Sequence, residues 1–201
     1  MLVLHYTGME SAEAALERLC DPDAQVSAHY LIDEAGAVYR LVDETKRAWH
    51  AGRAAWRGHS DVNGRSVGIE LANPGHEFGY RDFPEPQIAA LIDLAREIIG
   101  RHPIPARNVV GHSDVAPDRK LDPGERFDWP RLANAGIGLW PKPVTGTPGG
   151  DARALLADYG YDSTARHAIG AFQRHFRPAR IDGVADEETL ALLRGLIADA
   201  D

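Results

Sequence analysis

Short apolar runs constrain the fold of this chain more than any other feature of its sequence. Three of them are LVLHY (Leu2–Tyr6), SVGIEL (66–71) and NVVG (108–111). Runs of this length are typical of buried strands. Residues 86–101 differ, because their apolar side chains recur with helical spacing on one face, which predicts a helix. The alternation of strands and helices predicts an α/β fold with a mixed central sheet flanked by helices.

The rest of the first 140 residues is predicted to contain a helix at 11–19, a hairpin of strands at 26–33 and 37–42, and irregular stretches at 45–64 and 75–84. Long stretches without periodicity inside a compact domain usually carry function. We therefore interpret residues 1–140 as one domain whose loops hold the chemistry.

The last quarter of the chain has a different composition. Residues 141–150 (PKPVTGTPGG) contain three prolines and three glycines and are predicted to be a linker. Residues 151–201 are predicted to form a small C-terminal three-helix domain, with helices at 152–159, 164–175 and 186–198. About fifty residues are marginal for an independent fold, so we expect these helices to pack against the first domain.

Composition excludes several classes of function. The formal net charge of −8 argues against a nucleic-acid partner, and no apolar run reaches the ~18 residues of a membrane span. A single cysteine, Cys20, excludes an intrachain disulfide and a cysteine-rich zinc site. We expect a monomer in the cytoplasm, with the periplasm or cell envelope as the alternative if a leader is missing, since LVLHY follows Met1 without a basic region.

Candidate metal ligands lie where strands end. His5 closes the first apolar run, His112 follows residues 108–111, and Asp122 lies ten positions after His112 on a segment that its prolines should keep from forming a regular helix or strand. Two histidines and one aspartate can hold a catalytic zinc ion and leave one position open. The alternatives are a packed histidine at His5 and a turn-forming aspartate ahead of Pro123 at Asp122.

Two further charged residues could take part in catalysis. Glu70 ends an apolar strand, where a charge is costly unless it has a partner or a function, so it is a candidate general base. Lys120 stands two places before Asp122 and could stabilise an oxyanion. The alternatives are a Glu70 salt bridge, with Lys120 for example, and a solvated surface lysine.

Six motifs occur in the order of a known family. They are LVLHYTGM, SAHYLID, RAWHAG, SVGIELAN, VVGHSDVAPDRKLDPG and FDW. Together they resemble the N-acetylmuramoyl-L-alanine amidase type 2 family, closest to its AmiD/AmpD branch, over about residues 1–140. The resemblance implies that His5, His112 and Asp122 bind Zn²⁺ and that Glu70 and Lys120 are catalytic. It also implies that Trp49 and His50 lie near the substrate cleft.

The implied activity is zinc-dependent hydrolysis of the amide between N-acetylmuramic acid, or its 1,6-anhydro form, and L-alanine. The implied partners are peptidoglycan fragments or muropeptides, met in bacterial cell-wall turnover and peptidoglycan recycling. Two alternatives stay open: a non-catalytic peptidoglycan-recognition binder, and a zinc amidase that acts on another amide.

The C-terminal segment resembles the peptidoglycan-binding type 1 module through YGYD, AIGAFQRHF, DG and ETLALL. The alternative is a module that only packs against the amidase. Of the remaining histidines, His29 is predicted to be packed inside, and His102, His167 and His175 are predicted to lie at the surface or at helix caps.

Overall fold

The computed structural model describes residues 1–142 and 150–200. Most of the predicted linker, residues 143–149, lies outside the described residues. The strands are β1 (Leu2–Tyr6), β2 (Tyr30–Ile32), β3 (Val38–Arg40), β4 (Val67–Leu71) and β5 (Val109–Gly111). The helices are α1 (Ala12–Cys20), α2 (Gly75–Phe78), α3 (Glu85–Arg101), α4 (His112–Val115), α5 (Trp129–Asn134), α6 (Ala152–Tyr159), α7 (Ala168–Phe176) and α8 (Glu187–Ala200).

The five strands form one mixed sheet in the order β3-β2-β4-β1-β5. Strand β1 lies between β4 and β5 and pairs in parallel with both, whereas β2 and β3 form the antiparallel hairpin. The predicted mixed α/β sheet is therefore confirmed. Because β1, β4 and β5 run in the same direction, their carboxyl ends meet at one edge, where ligands usually bind in such sheets.

Helix α3 covers one face of this sheet. Its buried residues Ile88, Leu91 and Ile98 pack with strand residues such as Leu4 and Ile69 in one apolar core. Gln87 is fully buried in the first turn, and its amide donates to the carbonyls of Ile32 and Ala72. The helix predicted from periodicity thus has its apolar stripe against the sheet.

The C-terminal helices cover the opposite face. Val3 and Val110 of the sheet belong to the same apolar core as Leu156, Phe172 and Leu193 of α6, α7 and α8. Polar contacts follow this apolar seam, for example the Asp118 carboxylate, which accepts from the backbone N–H groups of Arg166 and His167. The predicted packing of this segment against the first domain is confirmed, while the division at residues 140 and 151 stays a prediction.

Four local expectations were wrong. The stretch at 75–84, which was predicted to be irregular, begins with helix α2. The loop after β5 begins with a helical turn, α4, because the Asp114 carboxylate accepts the Gly111 N–H at its amino end. Helix α7 begins at Ala168 rather than at residue 164, because the Asp162 carboxylate holds Thr164 in a turn. His175 is 3% exposed rather than at the surface. Across residues 1–142 and 150–200, no helix combines the length and hydropathy needed to cross a bilayer.

Candidate metal centre and active-site cleft

Three predicted ligands meet at the carboxyl edge of the sheet. His5 Nδ1 lies 2.9 Å from His112 Nδ1 and 3.0 Å from Asp122 Oδ2, and His112 Nδ1 lies 3.0 Å from the same oxygen. His5 is on β1, His112 begins α4, and Asp122 lies on the loop that returns to it, where Ser113 N donates to Asp122 O. All three side chains are buried. The structure therefore brings together groups from three separate parts of the sequence.

The hydrogen positions around His112 show what this cluster lacks. His112 Nε2 lies 3.0 Å from the carbonyl oxygen of Ala51, and because a carbonyl only accepts, Nε2 carries the hydrogen. In the neutral ring, Nδ1 then presents a lone pair to the Asp122 carboxylate oxygen. Two electron-rich atoms face each other in a buried site, an arrangement that a bound cation resolves. The donor set fits a metal ion.

The charge states agree with this arrangement. Burial, followed by the nearby His112, lowers the pKa of His5 to about 4, so its ring is neutral at physiological pH. Burial alone would raise the pKa of Asp122, but its interactions with His112 and His5 hold it well below the ordinary value. Two histidines and one carboxylate are a usual protein ligand set of a catalytic zinc site.

Glu70 lies directly beside this cluster. It is the partner of His5 in the β1–β4 register, so both side chains emerge at the same point of neighbouring strands. Its Oε2 is buried without a hydrogen-bond partner. Burial, and then the Asp122 charge, raise the pKa of Glu70 well above its ordinary value, against the opposing effect of Lys120. Among the described residues Glu70 forms no ion pair, so the salt-bridge alternative with Lys120 is wrong.

These groups open into a cleft of about 460 Å³. Its lining includes Trp49, His50, Glu70, His112, Lys120 and Asp122. Trp49 is 56% exposed, with the Arg47 guanidinium 4.9 Å from its ring centroid, so one face of a large aromatic ring borders the cleft. His50 differs from Trp49, because it is buried and both its ring nitrogens have protein partners. Lys120 makes no ion pair within the part of the chain described.

Sequence reasoning missed Tyr6 and the backbone of Ala51 at this site. Tyr6 lines the cleft together with His76, whose loop was expected near it, and the Tyr6 hydroxyl lies 2.9 Å from His76 Nδ1. Tyr6 directly follows His5, and its position next to a candidate ligand could have indicated that it lies at the site. The contact of the Ala51 carbonyl with His112 leaves no trace in the residue types, because any amino acid supplies a backbone carbonyl.

The fold and this site define a class of protein: an α/β protein with a three-ligand metal site at the open carboxyl edge of a sheet. Residues 1–125 match the family model described as N-acetylmuramoyl-L-alanine amidase, and residues 150–193 match the one described as putative peptidoglycan binding domain. The chain belongs to the N-acetylmuramoyl-L-alanine amidase family.

Individual relatives agree over most of the chain. It is 40% identical to N-acetylmuramoyl-L-alanine amidase AmiD of Escherichia coli (strain K12), over 98% of this chain and 82% of that protein. It is 38% identical to 1,6-anhydro-N-acetylmuramyl-L-alanine amidase AmpD of Salmonella typhimurium (strain SL1344), over 66% of this chain and 78% of that protein. The family relationship is thus supported by one match over almost the whole chain and by another over about two thirds of it.

Solved structures extend the likeness to the arrangement of both parts. The complex of AmiD from Escherichia coli with the substrate anhydro-N-acetylmuramic acid-L-Ala-D-gamma-Glu-L-Lys matches with a TM-score of 0.89 at 40% identity, covering 100% of this chain and 90% of that one. AmpDH3 from Pseudomonas aeruginosa matches with a TM-score of 0.89 at 35% identity, covering 99% and 91%. The C-terminal helices therefore belong to the shared fold.

Proposed function

We propose that the chain is a zinc-dependent amidase that hydrolyses the bond between the lactyl group of N-acetylmuramic acid and L-alanine in muropeptides. The observation that carries this proposal is the position of Glu70. Glu70, whose Oε2 is buried without a hydrogen-bond partner, lines the same cleft as His112 and Asp122 of the metal-binding cluster. A catalytic base needs this combination of a raised pKa and access to substrate.

The side chains divide the chemical work. His5, His112 and Asp122 would hold the ion, and zinc bound there would supply Lewis acidity for activating water and polarising the scissile carbonyl. Glu70 takes the proton of the attacking water and passes it to the leaving nitrogen of L-alanine. Lys120 lines the same cleft and places a positive charge where the carbonyl oxygen becomes negative.

The substrate class follows from the cleft and from the relatives. The exposed ring of Trp49 is suited to stack against a sugar ring, because amphipathic sugar faces pack on aromatic side chains. The complexes of AmiD and of AmpDH3 contain an anhydromuramic peptide. We therefore include the 1,6-anhydro form among the substrates, with intact peptidoglycan as the second candidate, reached with help from the C-terminal helices.

The two substrates correspond to two locations. A cytoplasmic, monomeric enzyme would act on imported anhydro-muropeptides, and an enzyme of the cell envelope would act on the wall itself. Product analysis after incubation with anhydro-muropeptides or with purified sacculi separates the two. Turnover of the soluble fragments alone supports the cytoplasmic role.

Substitution Glu70→Gln tests the catalytic assignment. We expect turnover of anhydro-muropeptide to fall by about 10³-fold, with zinc content unchanged, because the amide cannot accept the proton of water. Glu13→Gln, at an exposed position of α1, is the matched control and keeps full activity. Normal turnover in Glu70→Gln would refute the role of Glu70, and a zinc-loaded wild type that binds muropeptide without cutting it would support the binder alternative.

A further inference from the structure

The dipeptide His50–Ala51 contacts both imidazole ligands on their far sides. The Ala51 carbonyl accepts from His112 Nε2, and His50 Nδ1 lies 2.9 Å from His5 Nε2. His5 and His112 thus each use the nitrogen that points away from the metal-binding cluster to contact the same short segment. The predicted substrate contact of His50 does not account for this position.

A chain of hydrogen bonds continues from His50 away from the cleft. Ser66 Oγ lies 2.6 Å from the carbonyl oxygen of Val62 and 3.1 Å from His50 Nε2. The carbonyl only accepts, so the single hydroxyl hydrogen goes to it, and Ser66 Oγ accepts from His50 Nε2–H. A neutral His50 then offers the lone pair of Nδ1 to His5 Nε2–H. This leaves the lone pair of His5 Nδ1 directed at the cluster.

The surroundings hold the His50 ring in this orientation. The Asn63 side-chain oxygen accepts from the backbone N–H groups of both His50 and Ala51, which fixes the segment. The ring lies against the backbone of β4 at Gly68, where an added Cβ would come within 2.5 Å of His50 Cγ. Because Gly68 has no side chain, the His50 ring can pack directly against β4 while its Nδ1 contacts His5 of β1.

We propose that His50 and Ser66 are positioning residues that set the tautomer of His5, so that both ligand rings present Nδ1 lone pairs to the metal ion. The proposal rests on the metal site of the proposed function. Outer hydrogen bonds of this kind orient metal-binding histidines in proteins, and their loss weakens metal affinity about 10- to 100-fold. His50 acts through His5 and is not itself a ligand.

Zinc affinity, measured by competition with a chromophoric chelator, tests Ser66. We expect Ser66→Ala to bind zinc at least about tenfold more weakly than wild type, since His50 Nε2–H loses its acceptor. Ser66→Thr keeps the hydroxyl and is expected to stay within about threefold of wild type, which corresponds to less than 1 kcal/mol. Equal affinity of wild type and Ser66→Ala, or equal weakening by alanine and threonine, would overturn the proposal.

Two substitutions at His50 test the direction of the hydrogen bond between His50 and His5. In His50→Asn the side-chain oxygen takes the place of Nδ1 and can still accept from His5 Nε2–H, whereas His50→Leu removes the acceptor at similar volume. We expect the asparagine variant to bind zinc about tenfold more tightly than the leucine variant. Identical affinities contradict the proposal, and circular dichroism of both metal-free variants verifies that they fold.

The tautomers can also be observed directly. In the zinc-loaded, ¹⁵N-histidine-labelled full chain, long-range nitrogen–proton correlations should place the hydrogen of His50 on Nε2 and that of His5 on Nε2. A hydrogen on His50 Nδ1 refutes the inference. If wild type binds no zinc, the proposed metal site itself fails, and this result is distinct from a wild type that binds zinc as tightly as its variants.

Discussion

The short helix α4 contributes a side chain to two buried polar clusters of opposite character. His112 belongs to the metal cluster with His5 and Asp122, and Asp114 belongs to a cluster between the sheet domain and the C-terminal helices. Both clusters combine histidine with aspartate, and both are almost closed to solvent. Residue type and burial therefore do not distinguish them.

The two clusters differ in whether each polar contact pairs a donor with an acceptor. At the seam, the Asp114 carboxylate accepts from the Gly111 N–H, the Tyr161 O–H and His175 Nδ1–H, each at 2.7 Å. His175 is also stacked on Trp129, with ring centroids 3.7 Å apart. Every contact has a donor and an acceptor, so the cluster is complete without an ion. At the metal cluster, His112 Nε2 donates to the Ala51 carbonyl, so a neutral His112 ring turns its Nδ1 lone pair toward an Asp122 oxygen, and a cation bound between them would satisfy both atoms.

The comparison implies that one cluster serves function and the other serves stability. Removing a group from the metal cluster should lower activity. Removing a group from the Asp114 cluster should lower the free energy of unfolding. Substitutions in each cluster test this distinction.

The largest effect is expected for Asp122→Ala. Loss of a ligand should abolish stoichiometric zinc binding and lower turnover by about 10³-fold or more, since the metal contributes several kcal/mol to catalysis. Metal analysis after dialysis and a muropeptide assay measure both quantities. Asp93→Ala, at an exposed position of α3, is the control. Full zinc content in Asp122→Ala contradicts the assignment, and a large loss of metal-free stability would show that the cluster also holds the fold.

A smaller effect of the opposite kind is expected for Asp114→Asn. The amide presents its NH₂ group to at least one of the three donors at this place, and we expect the free energy of unfolding to fall by about 3 kcal/mol. Zinc stoichiometry at low temperature should remain that of wild type. Urea unfolding of the metal-free proteins measures the difference. Unchanged stability would mean that the seam contributes nothing to folding.

The smallest effect is expected for Tyr161→Phe, which removes one donor to a buried carboxylate. The expected loss at pH 8 is about 2 kcal/mol, the usual range for a hydrogen bond to a charged group. Tyr39→Phe removes a similar bond to Asp33 at the surface and should change stability by less than about 0.5 kcal/mol. If Tyr161→Phe is as stable as Tyr39→Phe, the hydrogen bond from Tyr161 to Asp114 does not stabilise the fold.

The same variant has a predictable pH dependence. Burial, and then Asp114, raise the pKa of Tyr161 well above its unfolded value of 10.0. Above pH 10 the unfolded chain loses this proton while the folded chain keeps it, so wild type loses stability as pH rises. Tyr161→Phe lacks this contribution, and the stability difference should shrink between pH 8 and pH 10.5. A constant difference would contradict a buried, protonated Tyr161.

Much of the fold was predictable because it depends on local periodicity. The strand at Leu2–Tyr6 and helix α3 follow from apolar spacing, and the motifs pointed to His5, Glu70, His112, Lys120 and Asp122 as one site. The structure brings the three candidate ligands together and leaves Glu70 beside them.

What could not be predicted depends on contacts between distant residues. His175 carries no local mark of burial, because its partner Asp114 lies far away in the sequence. The hydrogen bonds from Ser66 through His50 to His5 likewise join three separate segments. The Ser66 hydroxyl is itself oriented by the backbone carbonyl of Val62. Helix α4 was missed because a four-residue helix depends on its cap more than on a pattern.

The place of β1 in the sheet has a consequence for biosynthesis. Leu2 pairs with Val67 on one side and with Val109 on the other, so β1 is synthesised before either of the strands that it pairs with. This apolar strand has no β4 partner until about half of the first domain has been translated, and no β5 partner until Val109 has been added. Such distant pairings form slowly, and intermediates that lack them expose apolar surface and are prone to aggregate.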